Sequence, residues 1–189
     1  LDVVEALAMR EPHIVIHAPG SIWDYHNTAV SPEAARLRTE AFVANVAPAA
    51  TRAETVGATF VLENIQDPDP AMRRRLVEAV GSPALRLSLD TGHANYGHGR
   101  FGTPPPDAFV RDAGNALAHL HLQDTDGYAD RHWALGEGNI AWPALFRALR
   151  TSTGLGNGGA DAPRLIIELA DKAGLASSIA HLRALGVAQ

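Results

Sequence analysis

The chain has 189 residues, 46% of them apolar, with no cysteine and a formal net charge of -5. That length supports one globular domain with a buried core, the lack of thiols excludes a disulfide framework and a thiolate metal site, and the acidic balance leaves no footprint for a long polyanion. The basic side is almost all arginine, Lys172 being the only lysine, and no apolar run approaches the roughly 18 residues of a membrane span, so a soluble, cytoplasmic protein without membrane contact is expected.

Residues 1–10 carry apolar spacing that suits the last turns of a helix, so the chain is expected to continue from a preceding segment. Glu11-Pro12 breaks that helix, and the run from His13 to His17 reads as a first strand ending on an imidazole. In the following loop Trp23, Tyr25 and His26 suit either the wall of a small-molecule pocket or a plain cover over the strand ends. Ser31-Pro32-Glu33 supplies a cap, a first-turn proline and an early acid for a helix. That helix is expected to put Leu37, Ala41 and Val46 on one face, to kink or restart at Pro48 and to stop at Gly57. A second strand runs from Thr59 to Glu63. A helix over residues 71–80 follows, and its Arg73-Arg74-Arg75 run spreads around the cylinder onto an expected solvated face.

Leu87-Ser88-Leu89-Asp90 reads as a third strand, with Ser88 outward and the leucines inward. It ends on a carboxylate followed three residues later by His93, and Gly92 is expected to turn the backbone so that both side chains face one point. The plainer alternative has Asp90 capping its own turn. Residues 95–106, rich in glycine and proline, read as a long loop and candidate lid carrying His98 and Arg100; Arg100 suits a phosphate or a simple surface loop. A helix near 107–115 leads to a fourth strand from Leu117 to Leu122. Residues 123–132 after it form the densest polar stretch in the chain. A helix over 140–150 puts Trp142, Leu145, Phe146 and Leu149 on one face. The glycine-rich 154–159 segment lacks the Lys-Ser/Thr of a phosphate loop and reads as a flexible connection. A fifth strand ends at Glu168, and a last helix covers 175–185.

Five short apolar runs, each ending in a ligand-type residue and separated by helical segments, predict an α/β fold built from a parallel sheet of βα units. A complete TIM (β/α)8 barrel takes about 250 residues. The fold expected is therefore an incomplete TIM-type barrel of about five units, forming one partial domain over 1–189. Functional groups sit at the carboxyl ends of barrel strands, where Glu63, Asp90, His121 and Glu168 fall. Carboxylates with one imidazole suit a single divalent ion such as Mn2+, Mg2+, Co2+ or Zn2+ with positions left for substrate, and no organic cofactor is called for.

Leu62-Glu63-Asn64, Leu89-Asp90-Thr91-Gly92-His93, His119-Leu120-His121-Leu122-Gln123-Asp124, Asp130-Arg131-His132, Gly136-Glu137-Gly138-Asn139-Ile140 and Ile166-Ile167-Glu168 together resemble the xylose isomerase-like TIM barrel superfamily. That superfamily includes sugar phosphate isomerases/epimerases and the endonuclease IV type of apurinic-site nuclease. The resemblance runs from the fourth to the eighth strand of its barrel, the first three being absent. It implies Glu63, Asp90, His121 and Glu168 as metal ligands. Glu63 and Glu168 would also be the catalytic carboxylates, moving a proton at a sugar carbon through a metal-stabilised enediolate. By the same resemblance His17, His93, Asp130, Arg131 and His132 would bind substrate, a small-molecule sugar or sugar phosphate. In the nuclease branch His17 and His93 would hold further zinc ions. The acidic balance and the lack of a DNA-wedging loop favour the isomerase/epimerase over the nuclease. A third possibility is a non-catalytic remnant that binds metal or sugar. Open sheet edges would leave the chain unstable, inactive or assembled as a homo-oligomer.

Overall fold

The computed structural model describes residues 1–17, 31–153, 155 and 162–187. Five parallel strands lie side by side in chain order: β1 (His13–His17), β2 (Thr59–Glu63), β3 (Leu85–Asp90), β4 (Leu117–Leu122) and β5 (Arg164–Ile167). Helices α1 (Asp2–Ala6), α2 (Pro32–Thr55), α3 (Ala71–Val80), α4 (Thr91–Phe101), α5 (Pro106–Ala113), α6 (Trp142–Ser152) and α7 (Leu175–Ala184) complete the described elements, with short 3-10 turns at Gly114–Ala116 and Lys172–Gly174. The result is the expected α/β half-barrel, an incomplete TIM-type barrel. The aromatic loop after β1 and all of the 154–159 segment except Leu155 fall outside the described residues.

The helix layer covers one face of the sheet. Leu87, Leu89, Leu120 and Leu122 pack against Phe109, Val110, Leu145, Phe146 and Leu149, all buried in one cluster. Each such side chain contributes about 1.5–3 kcal/mol by leaving water. Alternation then sends the intervening residues to the barrel interior. Ser88 goes with them, buried and donating to Glu63 at 3.0 Å, so the serine faces the interior and the leucines face the helices, opposite to the sequence reading.

Helix α2 starts where expected, with the Ser31 hydroxyl accepting from the Ala34 N–H at 3.3 Å. It is one helix through Pro48, without a restart. Its buried face is Phe42, Ala50 and Ala53, while Leu37 is exposed, because the sheet lies on the Phe42 side. Residues 91–101 form a helix, which takes up 95–101 of the lid loop expected over 95–106; packing against the polar segment after β4 outweighs the low helix propensity of its glycines. Arg73 is not on a solvated face. It is buried, ion-paired with buried Asp67, and its guanidinium donates to the Leu62 carbonyl at 2.9 Å and to the Ser88 carbonyl. No helix among the described residues is long and apolar enough to cross a membrane.

Candidate metal centre

The carboxyl ends of β2, β3 and β4 bring Glu63, Asp90 and His121 together, each offering a ligand atom within 4.8 Å of the others. All three strands are parallel, so their carboxyl ends open on the same rim. Glu63 and Asp90 are almost fully buried. Asn64 locks the two strand ends together, its side-chain amide donating to the Asp90 carbonyl at 3.1 Å and its side-chain oxygen accepting from the Asp90 N–H at 2.8 Å. Arg73 adds a second clasp one residue upstream on β2, through Leu62, and two upstream on β3, through Ser88.

His121 Nδ1 lies 2.8 Å from Glu63 Oε2 and 3.1 Å from Glu168 Oε2. It is nonetheless buried with no well-directed hydrogen bond among the described residues. Ligand-type atoms that converge at bonding distance without completing hydrogen bonds are what a divalent cation would resolve, so the donor set fits a metal. The electrostatics agree. Burial opposes a charged His121, but Glu63, Glu168 and Asp90 outweigh it and hold its pKa above the ordinary value. Burial pushes Glu63 up, and the adjacent His121 imidazole together with the charge of His93 brings it below its ordinary value. Burial lifts Asp90 to about 6. A site that draws protons onto an imidazole between carboxylates draws a divalent cation for the same reason.

Glu168 reaches His121 from just past β5 but does not join the 4.8 Å group. His17, at the end of β1, puts Nε2 3.3 Å from Glu63 Oε1.

A second group stands beside the first: His93, Asp130 and His132 also offer atoms within 4.8 Å of one another. His93 donates from Nδ1 to the Asn64 carbonyl at 2.8 Å, which turns Nε2 toward Asp130 Oδ2 at 3.3 Å. Burial works against the imidazolium, but the hydrogen bond to Asp130 and the charges of Asp90 and Asp130 lift His93 to about 10. Arg131 is not in this group. It pairs with Asp126 at 3.0 Å and lies over the Trp133 ring.

Gln123 connects the two groups and was not singled out by sequence reasoning. Fully buried, it donates from Nε2 to Asp90 Oδ1 at 3.2 Å and to Asp130 Oδ1 at 2.8 Å, and its oxygen accepts from the His132 N–H at 2.9 Å. Gly92 makes room for it: a Cβ there would stand 2.2 Å from the Gln123 side chain. The glycine therefore serves close approach rather than a turn, since α4 begins immediately after Asp90. Asp90 also caps that helix, accepting from the His93 N–H at 2.7 Å, so the capping reading holds for the same carboxylate that stands beside Glu63 and His121. Asp124 was also missed. Buried beneath the loop after β4, it accepts from the N–H groups of Gly136 and Ile140 and from the Trp142 indole at 2.8 Å, fixing the segment that carries Asp130 and His132. The polar density of residues 123–132 was the available signal.

The model of the xylose isomerase-like TIM barrel family matches residues 2–185. An uncharacterised protein of Methanocaldococcus jannaschii is 30% identical over 107 residues, covering 52% of this chain and 34% of that protein. A Thermus thermophilus protein, solved after soaking with zinc chloride, superposes with a TM-score of 0.70 at 28% identity over 97% of this chain and 64% of its own. A D-tagatose 3-epimerase-like protein superposes with a TM-score of 0.69 at 24% identity, covering 92% of this chain and 61% of its own. The chain thus spans about a third of the curated relative and less than two thirds of either solved protein.

Proposed function

The chain belongs to the xylose isomerase-like TIM barrel family, and on that premise we propose that it carries the metal-binding and proton-transfer residues of a divalent-metal-dependent sugar or sugar phosphate isomerase/epimerase. The observation that carries this reading is the convergence of Glu63, Asp90 and His121 at three adjacent strand ends, with Glu168 reaching the same His121 nitrogen as Glu63. Its fold is also that of the D-tagatose 3-epimerase-like protein.

Glu63, Asp90, His121 and Glu168 would hold the ion. When bound, it would supply Lewis-acid polarisation of a substrate carbonyl, acidifying the neighbouring carbon. Glu63 and Glu168 both reach His121 Nδ1, at 2.8 and 3.1 Å, and two carboxylates at one site suit one to remove a proton from that carbon and the other to return one. Ser88 steadies Glu63 by donating to Oε2, and the mostly exposed His17 reaches Oε1. His93, Asp130 and His132 line the approach and would orient substrate hydroxyls.

Zinc-dependent cleavage at abasic sites in DNA is the second reading, favoured by the His93–Asp130–His132 group, which is itself a metal-ligand set. One experiment separates the two. Protein purified without chelator is analysed for metal beside a Glu63→Ala, His121→Ala variant, then incubated with ketoses in deuterium oxide. About one Mn, Co or Mg per chain, absent from the variant, together with deuterium uptake at a sugar carbon is the expected result. Two or three zinc ions with nicking of abasic DNA would establish the nuclease instead. Absence of metal and of both activities would sink both readings.

A further inference from the structure

A cavity of about 430 Å3 opens beside the second group, lined from α4 by His93, Tyr96 and Arg100 and from the loop after β4 by Tyr128, Ala129 and Asp130. Its charges are unequal. Asp130 is compensated by His93, 3.3 Å away, and also lies 3.3 Å from His132 Nε2. Arg100 has no carboxylate partner among the described residues; its contacts are ring faces, with the guanidinium carbon 5.0 Å from the Tyr128 centroid and 6.0 Å from that of Phe101. Stacking occupies the face of a guanidinium and leaves its in-plane N–H donors free.

The pairing of Arg100 with Tyr128 is built by the backbone. Arg100 sits in the last turn of α4, and a Cβ at the preceding Gly99 would fall 2.2 Å from the Gly127 carbonyl oxygen, so the helix seats directly on the loop that carries Tyr128. An uncompensated cation on an aromatic wall, facing a cavity that also opens on His93, gives that cavity a positive field at the end away from the metal ligands.

We propose that this corner receives an oxyanion, a phosphate or carboxylate group, at the end of the substrate remote from the reacting carbon. The substrate class is then an anionic sugar rather than a neutral one. The inference rests on the isomerase/epimerase reading and specifies its substrate. Arginine suits the role because its planar fork offers two parallel N–H donors to two oxygens of one group.

The test uses metal-loaded protein titrated separately with inorganic phosphate and with glycolate, followed by calorimetry, for wild type, Arg100→Gln and Arg111→Gln. Arg111 lies exposed on α5 in a pair with Asp107, so its replacement makes the same change in net charge away from the cavity. Arg100→Gln is expected to weaken one of the two anions by about tenfold or more, while Arg111→Gln stays within about twofold of wild type. Whichever anion responds names the group. Equal binding by wild type and Arg100→Gln, or an equal loss in Arg111→Gln, overturns the proposal. Metal content and deuterium exchange on the same samples keep the two readings apart: a metal-bound, exchanging protein without Arg100-dependent anion binding overturns this inference alone. Anion binding at Arg100 by a protein that holds no metal overturns the isomerase reading and the substrate assignment with it.

Discussion

The central strands and the edge strands of the sheet hold their ligand-type residues in different ways. Glu63, Asp90 and His121 stand on β2, β3 and β4, each with a strand on both sides, and they form the compact group. His17 and Glu168 stand at β1 and just past β5, the two edges, where their side chains are 53% and 44% exposed and neither joins that group. The strands differ in the same sense: β3 and β4 are buried almost throughout, whereas Arg164 and Ile166 of β5 are exposed. Flanking strands, and the side chains that clasp them, fix a ligand before any ion arrives, and an edge does not. Pre-organisation therefore falls from the middle of the rim outward.

Replacing the central pair breaks this contrast most completely. Glu63→Ala with His121→Ala is expected to abolish metal binding, read as the loss of bound metal in elemental analysis. Arg73→Met leaves Asp67 buried without its partner and removes both clasps to the Leu62 and Ser88 carbonyls. A loss of about 3–5 kcal/mol is expected in urea unfolding, and an unchanged midpoint would show that the clasp is idle. Gln123→Ala removes the bonds that orient Asp90 from behind. Metal affinity should fall by about 10- to 100-fold, measured by competition with a chelating dye. At the edge, His17→Ala should change stability by less than about 1 kcal/mol, because its contact with Glu63 is open to water. A large effect of His17→Ala would mean that edge and centre are held alike.

Much of this arrangement was legible because one pattern repeats: an apolar run, then a ligand-type residue at its carboxyl end. That pattern located the strands and the residues of the central group. What it could not reach are contacts between distant segments. Arg73 looks like a surface residue within Arg73-Arg74-Arg75 until the carbonyls of two strands converge on it. Gly92 reads as a turn until Gln123 occupies the space that a Cβ would take. The glycines of 95–106 suggest a loop, and only the close seating of Gly99 on Gly127 shows why the helix that covers 95–101 has a glycine there. Ser88 was assigned to the outer face because polarity usually marks solvent, but the interior of this barrel is itself polar at its rim.

Strand order in the sheet equals strand order in the chain. Each strand can therefore dock on the one made just before it, and the sheet can grow along a single advancing edge during synthesis, without waiting for a distant partner. The ligands arrive in the same sequence, Glu63, then Asp90, then His121. Once the fourth strand docks, the group of Glu63, Asp90 and His121 is complete, so it can assemble before Glu168 and α7 have been synthesised.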